Sequence, residues 1–156
     1  MKVGVIGAGR IGKVHAKNIV QFVPELEIKT MADPFANDET RAFVDTYKIP
    51  NVVKDAEEIL NDEEIEAVLI CSSTDTHSRY IIESAKAGKH IFCEKPIDCD
   101  LIKAREAIKA ADHANAKLFI GFCRRFDHNH KAVYDMVAGG KIGAPHIIKI
   151  SSRDPE

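Results

Sequence analysis

Short apolar runs alternate with longer stretches of helical periodicity from the first residues almost to the last. Lys2–Gly7, Glu27–Asp33, Asn51–Val53, Ala67–Cys71, His90–Cys93 and Leu118–Phe122 read as strands. Ile11–Phe22, Asn37–Tyr47, Ala56–Asn61, Thr76–Ala87 and Cys99–Asn115 read as helices between them. In the last helix, Leu101, Ala104, Ile108 and Ala111 recur at intervals of three and four and predict the core-facing stripe. The strand runs are continuously apolar, as strands buried on both faces are. Strict alternation predicts an α/β fold, a doubly wound parallel sheet covered on both sides.

The tail departs from this rhythm. Asn129–Ala138 reads as one more helix, stopped by Gly139-Gly140, and His146–Ser152 as a strand with Ile148 and Ile150 on one face. Nothing after that strand pairs or covers it, and an open strand edge invites association. Two expectations follow: the chain stops at the start of a second α/β domain, and this edge drives homo-oligomerisation. The division falls at 1–122 and 123–156, the second part holding the connecting helix and the first strand of the incomplete domain.

Charge and composition narrow the function classes. A formal net charge of -2, with 45% hydrophobic and 29% charged residues, suits a globular chain and offers no broad attraction to nucleic acid or anionic membrane. No apolar run approaches the ~20 residues of a membrane helix. Met1-Lys2 leads straight into a core strand, so no signal peptide is expected and the cytoplasm is the default location. The cysteines at 71, 93, 99 and 123 form no Cys-x-x-Cys pair, so no metal site is expected. Cys71, Cys93 and Cys123 end apolar runs and read as small buried hydrophobes.

Gly7-Ala8-Gly9-Arg10-Ile11-Gly12 is a Gly-x-Gly-x-x-Gly that follows an apolar strand and opens a helix. In that setting it reads as the phosphate loop of a Rossmann dinucleotide-binding domain. Gly7 permits the tight turn, Gly9 admits a pyrophosphate to the backbone, and Gly12 lets helix and strand pack closely. The helix N–H groups around Arg10 and Ile11 then face the diphosphate. The second strand ends in Asp33, roughly 20 residues on, where a carboxylate accepts the adenosine ribose hydroxyls and repels a 2′-phosphate. Pro34, Phe35 and Ala36 follow it, and the nearest arginine, Arg41, lies along the next helix. NAD is therefore expected over NADP, against the simpler reading of Asp33 as a helix cap.

Ligands of open parallel sheets lie beyond the carboxyl ends of the strands. Here those ends carry Cys71-Ser72-Ser73-Thr74-Asp75-Thr76-His77, Glu94-Lys95-Pro96 and Cys123-Arg124-Arg125-Phe126-Asp127. Lys95 is the informative residue, a lysine with no evident structural reason to stand between Glu94 and a proline.

Several segments together carry a resemblance. They are the Gly7–Gly12 loop running on to His15, Thr74-x-x-His77, Glu94-Lys95-Pro96, Gly121–Asp127 and Lys141-Ile142-Gly143-x-Pro145. Over essentially its whole length the chain resembles the glucose-fructose oxidoreductase/inositol dehydrogenase family (Gfo/Idh/MocA). Arg124-Arg125-Phe126-Asp127 and the closing Ser152-Arg153-Asp154-Pro155 look most like the inositol 2-dehydrogenases of that family. The resemblance implies that Lys95 sits beside the nicotinamide and hydrogen-bonds the reacting substrate oxygen. It implies that Glu94 helps hold lysine and cofactor, that a cis bond precedes Pro96, and that Ser72, Ser73, Thr74 and His77 line the ribose and nicotinamide. For His77 a ligand-free place at a helix start is equally open; His15 reads as packing. Arg125 and Arg153 read either as contacts to a polyol or second domain or as solvated surface arginines. His128 and His130 read as exposed helix-start residues.

Family members are considerably longer, and their general base lies on a helix past the point where this chain stops. Alcohol oxidation needs a proton acceptor as well as a hydride acceptor, and a protonated Lys95 does not serve alone. The expected function is thus the NAD-binding half of a dehydrogenase acting on a cyclic polyol or sugar, inactive by itself. The alternative is a complete non-catalytic NAD-binding module, or a subunit completed by a partner.

Overall fold

The computed structural model describes residues 1–153. The chain forms two compact units, Met1–Gly121 and the remainder from Phe122 onward. In the first, strands β1 (Lys2–Ile6), β2 (Glu27–Ala32), β3 (Asn51–Val53), β4 (Ala67–Ile70), β5 (His90–Glu94) and β6 (Leu118–Gly121) alternate with five helices. These are α1 (Arg10–Phe22), α2 (Asp38–Thr46), α3 (Glu57–Leu60), α4 (Thr74–Lys86) and α5 (Leu101–His113). The sheet order is β3-β2-β1-β4-β5-β6 and every pairing is parallel. This is the doubly wound Rossmann arrangement, whose strand order reverses between β1 and β4.

Over the central strands both faces of the sheet are buried, each by alternate residues of the same strands, whereas Phe119 of β6 is half exposed. In β4 and the residue after it, Val68 and Ile70 join Ile6, Ile59 and Ile81 in one core layer. Leu69 and Cys71 join Val3, Val5, Ile19 and Met31 in the other. Burial on both sides requires apolar residues at every position, which is why the runs do not alternate in sequence. Local caps set the helix starts: Asn37 accepts from the Thr40 N–H at 3.1 Å and Asp100 from the Ile102 N–H at 2.7 Å.

The stripe expected on α5 holds at Ala111 and fails at Leu101 and Ile108. Leu101 is 73% and Ile108 39% exposed, whereas Ala107 and Ala111 are fully buried beside Ile81 and Ala85 of α4. The two helices meet through small side chains, and close approach there turns the bulky residues outward. α4 also begins at Thr74, before the expected Thr76.

In the second unit, a 3₁₀ turn over Cys123–Phe126 precedes α6 (His128–Ala138). Asp127 caps α6 by accepting from the N–H groups of Asn129 and His130, both at 3.0 Å. The strand expected at 146–152 is not formed, and Ile147, Ile148 and Ile150 are exposed. A strand needs a ladder partner for its backbone groups, and apolar alternation alone does not supply one. Cys123, expected to be buried, is exposed. Arg125 and Arg153 are exposed; Asp154 and Pro155 lie outside the described residues.

Candidate cofactor-binding site

At the reversal between β1 and β4, the glycine loop crosses directly over the end of β4. Gly7 has φ +101°, and a Cβ there would stand 2.6 Å from both the Cys71 carbonyl carbon and the Ser72 nitrogen. Its N–H donates to the Ala32 carbonyl at 2.7 Å, which ties the loop to the end of β2. A Cβ on Gly12 would stand 1.9 Å from the Gly7 carbonyl oxygen. These two glycines are thus demanded by the protein's own packing.

Gly9 is different. A Cβ built there meets nothing within 4 Å, and the backbone is extended with φ -69°. The fold does not require glycine at this position; an external group that must approach the backbone does. Gly9 also begins α1 with no side-chain cap and no acidic residue in the first turn. Arg10 and Ile11 are exposed there, leaving the helix start open to an anion.

Asp33 stands just past β2. Its Oδ2 accepts from the Ala8 N–H at 2.7 Å and its Oδ1 from the Phe35 N–H at 2.8 Å. The carboxylate is therefore locked against the glycine loop, and each oxygen keeps a further lone pair for a ribose hydroxyl. Arg41 falls within α2, and Phe35 is 86% exposed beside Asp33.

The loop from β4 into α4 is held by its own hydroxyls. Ser72 Oγ and Thr76 Oγ1 lie 2.7 Å apart, and Thr76 Oγ1 donates to the Ser73 carbonyl at 2.7 Å. Ser73 is the N-cap residue of α4 without a side-chain bond, and Thr74 starts the helix.

Of the two places open to His77, the geometry favours the ligand-free one near the start of α4. The ring is 2% exposed; its Nδ1 stands 2.7 Å from the Pro96 carbonyl oxygen and its Nε2 3.0 Å from that of Ser72. Both nitrogens are taken by backbone, so the ring presents none to a ligand.

Glu94 ends β5. Its Oε1 lies 2.8 Å from His15 Nε2, and its Oε2 accepts from the Lys95 N–H at 3.3 Å. His15 meets Phe92 edge-on at 5.2 Å, so it packs as expected and also holds Glu94, a contact between distant segments that no local pattern signals. Lys95 follows with an exposed side chain and a cis bond to Pro96. Burial pushes the thiols of Cys71 and Cys93 up to about 12, with the charge of Glu94 adding to both. Among the described residues no group of three or more His, Cys, Asp or Glu is placed to hold a metal ion. No helix among them is long and apolar enough to cross a membrane.

Fold and loop together define an NAD-binding Rossmann domain, and comparison with known proteins says which kind. Residues 1–122 match the Gfo/Idh/MocA oxidoreductase family, NAD-binding Rossmann fold. The chain belongs to that family. It is 41% identical over 155 residues to the myo-inositol 2-dehydrogenase of Thermotoga maritima, covering 99% of this chain and 46% of that protein. The inositol 2-dehydrogenase of Rhizobium meliloti is 43% identical over 155 residues, with 99% and 46% covered. A crystal structure of scyllo-inositol dehydrogenase from Lactobacillus casei, with bound NAD(H) and scyllo-inositol, matches with a TM-score of 0.85 and 32% identity. The match covers 92% of this chain and 42% of that one. The chain thus spans about half the length of the relatives it matches.

Proposed function

We propose that this chain is the cofactor-holding half of an NAD-dependent dehydrogenase that oxidises a secondary hydroxyl of a cyclic polyol or sugar of the inositol kind. The observation that carries this reading is Gly9. Its vacant Cβ position, at an uncapped helix start next to Asp33, is a cradle the protein itself does not use.

Gly7, Gly9, Arg10, Ile11 and Gly12 would hold the diphosphate, Asp33 the adenosine ribose, and Ser72, Ser73 and Thr74 the nicotinamide end. Bound NAD supplies the hydride acceptor. Lys95 supplies a positive charge at the reacting oxygen, which stabilises alkoxide character as the C–H bond breaks, most strongly where water is excluded. Glu94, itself held by His15, orients the lysine's backbone. In this reading the proton acceptor would come from the part of the longer relatives that this chain does not cover. Four free thiols fit a reducing cytoplasm. Homo-oligomerisation, if carried by the exposed Ile147, Ile148 and Ile150, shows as a mass above that of the monomer in sedimentation.

An NADH fluorescence titration of the purified chain tests the reading: saturable binding is expected, and its absence overturns it. Inositol-dependent NADH formation by this chain alone would overturn the claim that the base lies elsewhere.

A further inference from the structure

Lys95 makes no ion pair or side-chain hydrogen bond among the described residues, so its placement depends on the backbone around it. On its N-terminal side that backbone is anchored through Glu94 to His15. On its C-terminal side the anchor is α4. His77 places Nδ1 at 2.7 Å from the Pro96 carbonyl oxygen, and the adjacent Ser78 donates to Asp98 Oδ2. The Ser78 bond is the largest cause holding the Asp98 carboxyl below its ordinary range. Two consecutive residues of one helix thus pin the three residues that follow Lys95.

His77 does more than hold one loop. Its Nε2 faces the Ser72 carbonyl oxygen at 3.0 Å, so a single buried ring spans the end of β4 and the residue after Lys95. A carbonyl oxygen can only accept, so a neutral ring, with one N–H, donates to one of the two carbonyls and packs its other nitrogen against the second, and the rigid ring sets the spacing between the two loops.

We propose that His77 is a positioning residue that keeps Lys95 in register with the Ser72–Thr74 loop through the Pro96 and Ser72 carbonyls. This rests on the reading that those two segments flank the nicotinamide end. Among the described residues no hydrogen bond joins Gly9 or Asp33, at the adenosine end, to His77. Losing the ring therefore separates the two ends of the site: the nicotinamide half loses its hold and the adenosine half keeps it.

The test compares NADH with ADP-ribose, which lacks the nicotinamide, by titration on the wild-type chain and on His77→Ala, His77→Gln and Ser78→Ala. His77→Ala is expected to weaken NADH about tenfold, as loss of a buried hydrogen bond implies, while ADP-ribose changes by no more than about twofold. His77→Gln, whose amide still donates, recovers part of the NADH affinity. Equal losses for both ligands, or NADH affinity unchanged, overturn the proposal. Should His77→Ala fail to fold, Ser78→Ala must show the same split in smaller degree, and no split there overturns it. A wild-type chain that does not bind NADH overturns the proposed function itself, a distinct outcome.

Discussion

His15 on α1 and Glu94 at the end of β5 lie 79 positions apart in the chain, yet their side chains meet at 2.8 Å. The pair joins the helix that opens at the glycine loop to the strand that delivers Lys95. His15→Phe keeps an aromatic ring against Phe92 and removes the bond to Glu94. The loss of about 1 kcal/mol expected for a part-buried hydrogen bond lowers the melting temperature by roughly 2–4 °C. A calorimetric scan checks it; an unchanged midpoint removes the pair from the structural account.

Gly9 and Gly12 stand three residues apart and should respond in opposite ways to the same substitution. Gly9→Ala places its methyl in open space, so stability should change by less than about 0.5 kcal/mol while NADH affinity falls at least tenfold. Gly12→Ala drives a methyl into the Gly7 carbonyl and should cost about 3 kcal/mol of stability. Denaturant unfolding paired with NADH titration separates the two, and NADH binding by Gly9→Ala at wild-type strength would sink the cradle.

Asp33 both accepts from Ala8 and faces the position expected for the ribose. Asp33→Ala should weaken NADH roughly tenfold and ease entry of NADPH. Asp33→Asn keeps an oxygen for the Ala8 N–H while removing the charge, so it should retain more NADH affinity than the alanine variant. If NADPH binds the parent chain as tightly as NADH, Asp33 does not discriminate.

Only thiolates alkylate readily, and Cys71 and Cys93 are buried with thiols pushed up to about 12. Cys99 and Cys123 are exposed. Iodoacetamide at mildly alkaline pH should therefore modify Cys99 and Cys123 in the native chain and all four after denaturation. Peptide mapping that finds Cys71 or Cys93 labelled under native conditions contradicts the packing of β4 and β5.

Asp127 caps α6, and its hydrogen bonds with the His130 side chain, then with the His130 backbone N–H, hold its carboxyl down from 3.8 to about 2. A depressed folded pKa means the cap contributes fully above about pH 4 and is lost as pH falls toward 2. Protection of the α6 amides, taken relative to their intrinsic exchange rate at each pH, should fall over that interval in the parent. In Asp127→Ala that protection should already be low at neutral pH, with no further step in the acid range.

Much of this molecule is legible in the order of its residues. The six strands, the parallel sheet, the glycine loop and the acid ending β2 all follow from short-range pattern, because strand burial and loop geometry are written in neighbouring positions. On α5, periodicity reports that a face is apolar without reporting how closely its neighbour approaches, so Ala111 lies in the core while Leu101 and Ile108 do not. At 146–152, apolar alternation describes a strand's preference, whereas a strand exists only with a ladder partner.

By itself, the sequence determined the fold class and the cofactor class, and singled out Gly9, Asp33 and Lys95 as candidates for the site. Tertiary structure alone decided which residues hold them. That His15 braces Glu94, and that His77 turns both ring nitrogens to backbone rather than to a ligand, depends on where α1 and α4 lie against the ends of β4 and β5. Such contacts join segments far apart in the chain, and no local preference encodes the distance between them.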